Sequence, residues 1–295
     1  MGILRTPSES FDIIDDFPYQ EHYMEFNGVR MHYIDEGQGD EIILALHGEP
    51  SWSYLYRKFI PTLSRKYRFI APDLIGFGKS DKYSSVKDYT FELHYNSLNH
   101  FIDTLNLGEI TLVVQDWGGL LGLSILGARP ELFKRVVIMN TFLPIGKPLG
   151  GVFKAWQMYA KMHPNLPVGK IIKRGCFKES SKTKQVIAAY DAPFPSKKYK
   201  AGAKAFPALV PTKPSHEGVT EMKQARKTLS EWQKPALILF SDKDPIMSGL
   251  EGFFFNLIPG ADETKKTIIK DASHFLQEDS GEEIAEHIDQ FIRDN

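Results

Sequence analysis

Leu112-Val113-Val114-Gln115-Asp116-Trp117-Gly118-Gly119 is the stretch on which the fold turns. The apolar run over 110–114 has the continuous character of a strand buried on both faces. An acid follows it, and small residues then lead into a second apolar stretch with the character of a helix. A strand, a sharp turn carrying one reactive side chain, and a helix form the pattern of a nucleophile elbow. Glycine after the turn lets the helix approach the strand closely. The helix N-terminus supplies free N–H groups and a dipole worth about 0.3 to 1 kcal/mol to an anion, so an aspartate there stays ionised. Taken alone, Asp116 reads equally well as a simple cap on the helix that follows it.

Working outward, apolar runs at 42–46, 69–71, 136–139 and 236–240, with a weaker one at 267–269, read as further buried strands. Phe91, Tyr95, Leu98, Ile102 and Leu105 recur at helical spacing, as do Ile284, Ile288 and Phe291 in the last segment. Strands alternating with covering helices imply a mostly parallel sheet with helices on both faces. The start differs. Segments 21–26 and 29–35 flank Asn27-Gly28, a pair suited to a tight turn with positive φ, so an antiparallel hairpin opens an expected eight-stranded sheet.

The alternation breaks after Met139. From 141 to 217 nothing reads as a buried strand, and prolines at 144, 148, 164, 167, 193, 195, 207, 211 and 214 cut the segment into short helices and turns. An inserted helical cap over 141–217 is expected, between two parts of one core at 1–140 and 218–295. Between Lys147 and Lys213 stand fourteen Lys or Arg against only Glu179 and Asp191, a local excess of twelve positive charges. Solvated helix faces explain such a run; a positive lid that attracts a product anion is the sharper reading.

With 295 residues, 42% of them hydrophobic, the chain can bury one large core. A formal net charge of -1 gives no general pull toward nucleic acid or anionic membrane. The single Cys176 rules out an intrachain disulfide, the first 17 residues lack the apolar core of a signal peptide, and no apolar run could span a bilayer. A cytoplasmic protein is expected, acting as a monomer without nucleic-acid or membrane partners.

Two distant segments bear on Asp116. Ser241-Asp242-Lys243-Asp244-Pro245 follows the strand at 236–240, and Asp271-Ala272-Ser273-His274-Phe275 follows the last short strand. Both lie at carboxyl ends of strands, where open α/β sheets gather their active-site groups. The order nucleophile, acid, histidine is that of the α/β-hydrolases. Asp116, Asp244 and His274 thus form a candidate triad, with His47, in a strand-end turn, and His94, on a helix, less suited to the base. A carboxylate with an ordinary pKa of about 3.9 is anionic without help and can displace a leaving group from saturated carbon. Halide and epoxide oxygen are the two candidate leaving groups. Halide needs only solvation, for which the indole N–H of Trp117 is suited. Of the other tryptophans, Trp52 and Trp232 lie outside the cap, leaving Trp156 as a candidate second donor. An epoxide hydrolase would instead use cap tyrosines, with Tyr159, Tyr190 and Tyr199 available.

His47-Gly48-Glu49-Pro50-Ser51-Trp52-Ser53-Tyr54, Pro72-Asp73-Leu74-Ile75-Gly76-Phe77-Gly78-Lys79-Ser80 and Val114-Gln115-Asp116-Trp117-Gly118-Gly119 together resemble the first subfamily of the haloalkane dehalogenases. The resemblance runs through nearly the whole chain, including Ala192-Pro193-Phe194-Pro195 in the cap. It implies an α/β-hydrolase fold and hydrolysis of a small halogenated alkane by water to alcohol and halide, with no cofactor and no metal. It also implies Asp244 as the acid, Trp156 as the halide-binding partner of Trp117, and the backbone N–H groups of Glu49 and Trp117 as an oxyanion hole. Phe142, Phe153, Phe177 and Phe194 are candidate cavity-lining residues. Two rivals, a luciferase-like oxygenase and a non-catalytic binding protein on the same fold, account less well for a triad together with a halide donor.

Overall fold

The apolar runs and the opening hairpin supply the eight strands that hydrogen-bond into one sheet, and two short strands form a separate ribbon. In the computed structural model, which describes residues 2–262 and 266–295, the strands are β1 (Ile3–Leu4), β2 (His22–Phe26), β3 (Val29–Glu36), β4 (Ile42–Leu46), β5 (Arg68–Pro72), β6 (Lys82–Tyr83), β7 (Ile110–Gln115), β8 (Phe133–Met139), β9 (Ala236–Ser241) and β10 (Thr267–Ile269). The large sheet runs β10-β9-β8-β7-β4-β5-β3-β2. It is parallel from β10 to β5 and antiparallel at β5-β3-β2. Asn27 and Gly28 take φ of 51° and 78°, both positive, as a two-residue hairpin turn matched to strand twist requires. Phe26 pairs with Val29 directly across it.

Most strand ends move by a residue or two from the apolar runs, and β8 moves further. It begins at Phe133, because charged Lys134 and Arg135 lie within the strand and are paired there. Glu41 accepts from Arg135 Nη1 at 2.7 Å and from Lys134 Nζ at 2.5 Å, which lets a buried guanidinium sit in a sheet. A separate ribbon pairs β1 with β6, and no apolar run announces it. Its strands have two residues each, too short to show periodicity.

The helices are α1 (Ile60–Leu63), α2 (Phe91–Thr104), α3 (Trp117–Ala128), α4 (Gly151–Met162), α5 (Val168–Gly175), α6 (Lys184–Asp191), α7 (Ala201–Leu209), α8 (Val219–Ser230), α9 (Glu251–Leu257) and α10 (Leu276–Arg293). Apart from Ala128, every residue of α3 is buried, between β4 and β7 on one side and α8 on the other. Segment 141–217 contains α4 to α7 and no strand.

Hydrogen bonds pin that segment to the rest of the chain, three of them from side chains that meet around α6. Trp52 Nε1 donates to the Ala189 carbonyl at 3.2 Å, Thr6 Oγ1 to the Pro193 carbonyl at 2.9 Å, and the Tyr190 hydroxyl to Glu278 Oε1 at 2.5 Å. Glu278, buried on α10, is also gripped at both oxygens by Arg57, whose Nη1 and Nη2 lie 2.5 and 2.9 Å away. Burial disfavours the Arg57 charge, but the Glu278 carboxylate more than offsets this and holds the guanidinium protonated. Removing one member of such a pair strands a buried charge. Arg57→Met is therefore expected to lower unfolding free energy by about 3 to 5 kcal/mol, read from urea denaturation. A loss well below that range would mean that water replaces the guanidinium.

Candidate active site

At the end of β7 the backbone of Asp116 is driven to φ 48° and ψ −124°. A non-glycine residue in this region stores about 1 to 3 kcal/mol and persists only where its surroundings impose it. Here Asp116 N–H donates to the Asn140 carbonyl at 3.1 Å, and the Asp116 carbonyl accepts from Thr141 Oγ1 at 2.7 Å. Gly118 lets α3 reach β4: a Cβ on it would lie 2.0 Å from the Leu46 carbonyl oxygen. Asp116 occupies the N-cap position of α3, yet its side chain makes no capping hydrogen bond. Its Oδ1 accepts from Glu49 N–H at 2.8 Å, and Oδ2 faces His274 Nε2 at 3.6 Å.

His274 comes from the loop after β10 and Asp244 from the loop after β9. Asp244 Oδ2 lies 2.7 Å from His274 Nδ1. Its Oδ1 accepts from the N–H groups of Ile246 at 2.8 Å and Met247 at 3.1 Å. Burial works against the Asp244 charge, but His274 and these N–H donors outweigh it and hold its carboxyl below the usual range. Burial likewise works against protonation of His274, and the flanking carboxylates of Asp244 and Asp116 overcome it, pushing the ring up to about 10. Gln115 is the residue that sequence reasoning quoted without giving it a role. Its Nε2 donates to the His274 carbonyl at 3.1 Å and stands 3.2 Å from His274 Nε2. Only contact across the loop, not spacing along the chain, could reveal it.

The other two histidines considered are placed differently. His47 lies 2.9 Å from the Gly48 carbonyl at Nδ1, and its Nε2 accepts from Leu74 N–H at 2.9 Å, which locks one neutral tautomer. His94 is buried against Tyr89 and Phe206, lines neither arm of the cavity, and is pulled down to about 3 by burial.

Over Asp116, His274 and Asp244 lies a cavity with two arms, of about 430 and about 340 Å³, which share Glu49, Asp116, Phe153, Trp156 and the stretch Pro245 to Met247. The first runs past Trp117, Phe142, Pro148 and Leu250 and the second past Tyr159, Ile171, Arg174 and Phe275. Trp117 and Trp156 both border the first arm, and neither indole N–H has an acceptor among the described residues. Trp52 is committed to Ala189, and Trp232 is buried away from both arms. Glu49 has a buried Oε1 without a partner. Burial and the nearby Asp116 charge push its carboxyl well above its ordinary value, which favours the neutral acid. Among the described residues no cluster of His, Cys, Asp and Glu is arranged to hold a metal.

Several expected positions are corrected. Phe142 and Phe153 line the cavity. Phe177 is 43% exposed beneath Lys243, and Phe194 is buried against Phe77. Of the tyrosines, Tyr190 is sealed onto Glu278 and Tyr199 borders neither arm, leaving Tyr159.

Residues 41–280 match the alpha/beta hydrolase fold family. A haloalkane dehalogenase of Psychrobacter cryohalolentis is 45% identical over 100% of this chain and 99% of its own. One of Mycolicibacterium paratuberculosis is 43% identical over 98% and 97%. The chain belongs to the haloalkane dehalogenases. A solved tetrameric haloalkane dehalogenase from Paraglaciecola agarilytica superposes with a TM-score of 0.91 at 38% identity, covering 97% of each chain. The family's members are hydrolases acting on carbon–halide bonds, and these relatives give no support to the epoxide hydrolase alternative. No helix among the described residues is long and apolar enough to cross a membrane.

Gly48 shapes the seat of the Asp116 carboxylate: a Cβ there would lie 2.3 Å from Asp116 Oδ1 and 2.7 Å from its Cγ. Gly48→Ala is expected to displace the carboxylate and slow bromide release from 1-bromobutane by roughly 100-fold. Thermal melting followed alongside should remain cooperative. Release close to that of the parent would show that the carboxylate tolerates the shift.

Proposed function

We propose that hydrolytic dehalogenation, the family's reaction, runs in this chain through a covalent alkyl ester on Asp116. The observation that carries this reading is a carboxylate, rather than a hydroxyl, at the elbow between the Glu49 N–H and the His274–Asp244 pair. Asp116 attacks the halogenated carbon, the C–X bond breaks, and the indole N–H groups of Trp117 and Trp156 hold the departing halide. In the second half His274 takes a proton from water, and the resulting hydroxide attacks the ester carbonyl. The oxyanion is held by the N–H groups of Glu49 and Trp117, and alcohol leaves.

The surroundings of His274 suit this sequence. The amide nitrogen of Gln115 offers a donor to Nε2 and so favours the neutral ring, while the Asp116 carboxylate favours the charged one. Esterification cancels the Asp116 charge and leaves the Gln115 contact, so the ring gives up its proton more readily and is available in the neutral form just when a base is required. In the alkyl-enzyme the base therefore titrates below the resting value of about 10.

We read segment 141–217 as a cap that closes the cavity from water. All the groups assigned to the chemistry come from one chain, so a monomer suffices for turnover; the tetramer is a state named for the Paraglaciecola agarilytica relative. A buried lone cysteine, its thiol pushed up by burial, suits a cytoplasmic setting.

Asp116→Ala is expected to abolish bromide release from 1,2-dibromoethane. His274→Phe should release one equivalent of bromide and leave an adduct visible by mass spectrometry; continued turnover by that variant would move the base elsewhere. In the wild type, a bromide burst should precede the steady state. The following steady state should fall as pH falls and His274 protonates, which stopped-flow halide detection can resolve.

A further inference from the structure

The two arms of the cavity differ in one respect that the dehalogenase reaction does not use. Apart from the groups assigned to the chemistry, the second arm is walled by apolar and aromatic side chains, among them Ile171, Ile246, Met247 and Phe275, and carries a single cation, Arg174. The first arm has none. Arg174 has no ion pair, hydrogen bond or aromatic partner among the described residues. Its neighbours on the following loop do: Lys178 Nζ donates to Ser280 Oγ and Lys182 pairs with Glu179, both at 2.9 Å.

The position of Arg174 is fixed against the triad. It stands in the last turn of α5, and the carbonyl of the next residue, Gly175, accepts from the N–H of Phe275 at 3.0 Å, one residue beyond His274. The approach is close, since a Cβ on Gly175 would lie 2.5 Å from the Phe275 ring. Arg174, exposed to solvent, thus lines an apolar passage that also borders the nucleophile. It presents planar, paired donors of the kind that bind a carboxylate through two parallel hydrogen bonds.

We propose that Arg174 selects haloalkanes bearing a terminal carboxylate, so that ω-haloalkanoates are a substrate class of this site. The inference rests on the dehalogenase reading above. The chemistry is unchanged: Asp116 displaces halide from the ω-carbon, water cleaves the ester, and the products are the ω-hydroxyalkanoate, halide and one proton. The carboxylate stays intact on Arg174 while the methylene chain fills the apolar arm.

The test compares kcat/KM for 6-bromohexanoate and 8-bromooctanoate with that for 1-bromohexane and for (6-bromohexyl)trimethylammonium, in wild type and in Arg174→Gln, Arg174→Glu and Arg174→Lys. In the wild type at low ionic strength the anion is expected to exceed the cation by at least roughly 10-fold, mostly through KM, and added salt should shrink that ratio because the guanidinium is exposed. The ratio should collapse in Arg174→Gln, invert in Arg174→Glu and largely survive in Arg174→Lys. Turnover of 1-bromohexane with an anion-to-cation ratio that is the same in Arg174→Glu as in wild type would overturn the proposal. A salt-sensitive anion preference independent of residue 174 would overturn it too, assigning the effect to the lysine-rich surface as a whole. Failure of every bromoalkane, 1-bromohexane included, would instead remove the dehalogenase reading on which it stands.

Discussion

The site depends on the left-handed backbone of one aspartate. With Asp116 at φ 48°, the strand that carries it ends abruptly and the next residue already begins a helix. This conformation is held from three sides: the Asn140 carbonyl takes its N–H, Thr141 fills its carbonyl, and Gly118 removes the Cβ that would keep the helix off β4. Relaxing any of these would let the carboxylate swing toward the ordinary work of capping α3. Because it cannot, both its oxygens are free to look into the cavity, one toward the Glu49 N–H and one toward the imidazole.

Three carboxyl groups and one imidazole share this small apolar space, and they are kept apart in protonation state by different means. The Asp244 carboxyl is drawn below its ordinary value because its partners are a histidine and N–H donors; Glu49 has no such partner for its buried oxygen and is pushed well above it. The histidine between Asp244 and Asp116 feels both charges. Charge on Asp116 therefore regulates the ring beside it, and a chemical change at one group is transmitted to the other through space rather than through movement.

The eight-stranded sheet was legible because buried parallel strands write themselves as uninterrupted apolar runs, and Asn27-Gly28 announced the hairpin. The ends of β8 were not, since Lys134 and Arg135 look like loop residues until Glu41, far away in the chain, is brought against them. The triad could be proposed from the order and strand-end placement of Asp116, Asp244 and His274 alone. Gln115 could not be given a role, because its partner is 159 positions away. Likewise nothing in the chain distinguishes Arg174 from the many basic residues around it, or Phe142 from Phe177; which of them faces the cavity depends on how short helices pack, and periodicity over one or two turns says little about that. Tyr190 illustrates the same limit, since only the buried Arg57–Glu278 pair explains why its hydroxyl is occupied.

The hydrogen bonds that join segment 141–217 to the core are distributed unevenly. The stretch around α5 and α6 is fastened by Trp52, by Glu278 and by Asp279, which accepts from the backbone N–H groups of Phe177 and Lys178 at 2.8 and 2.9 Å. By contrast, α4 buries only Ala160 completely and is tied to α7 by Gln157. The enclosure thus has one fixed jaw and one loose jaw. Since α4 carries Phe153 and Trp156, two of the side chains that border both arms, the less firmly fastened wall of the chamber is one that faces both passages. Breathing of α4 would change the width of both passages at once, so traffic through one arm is mechanically coupled to traffic through the other.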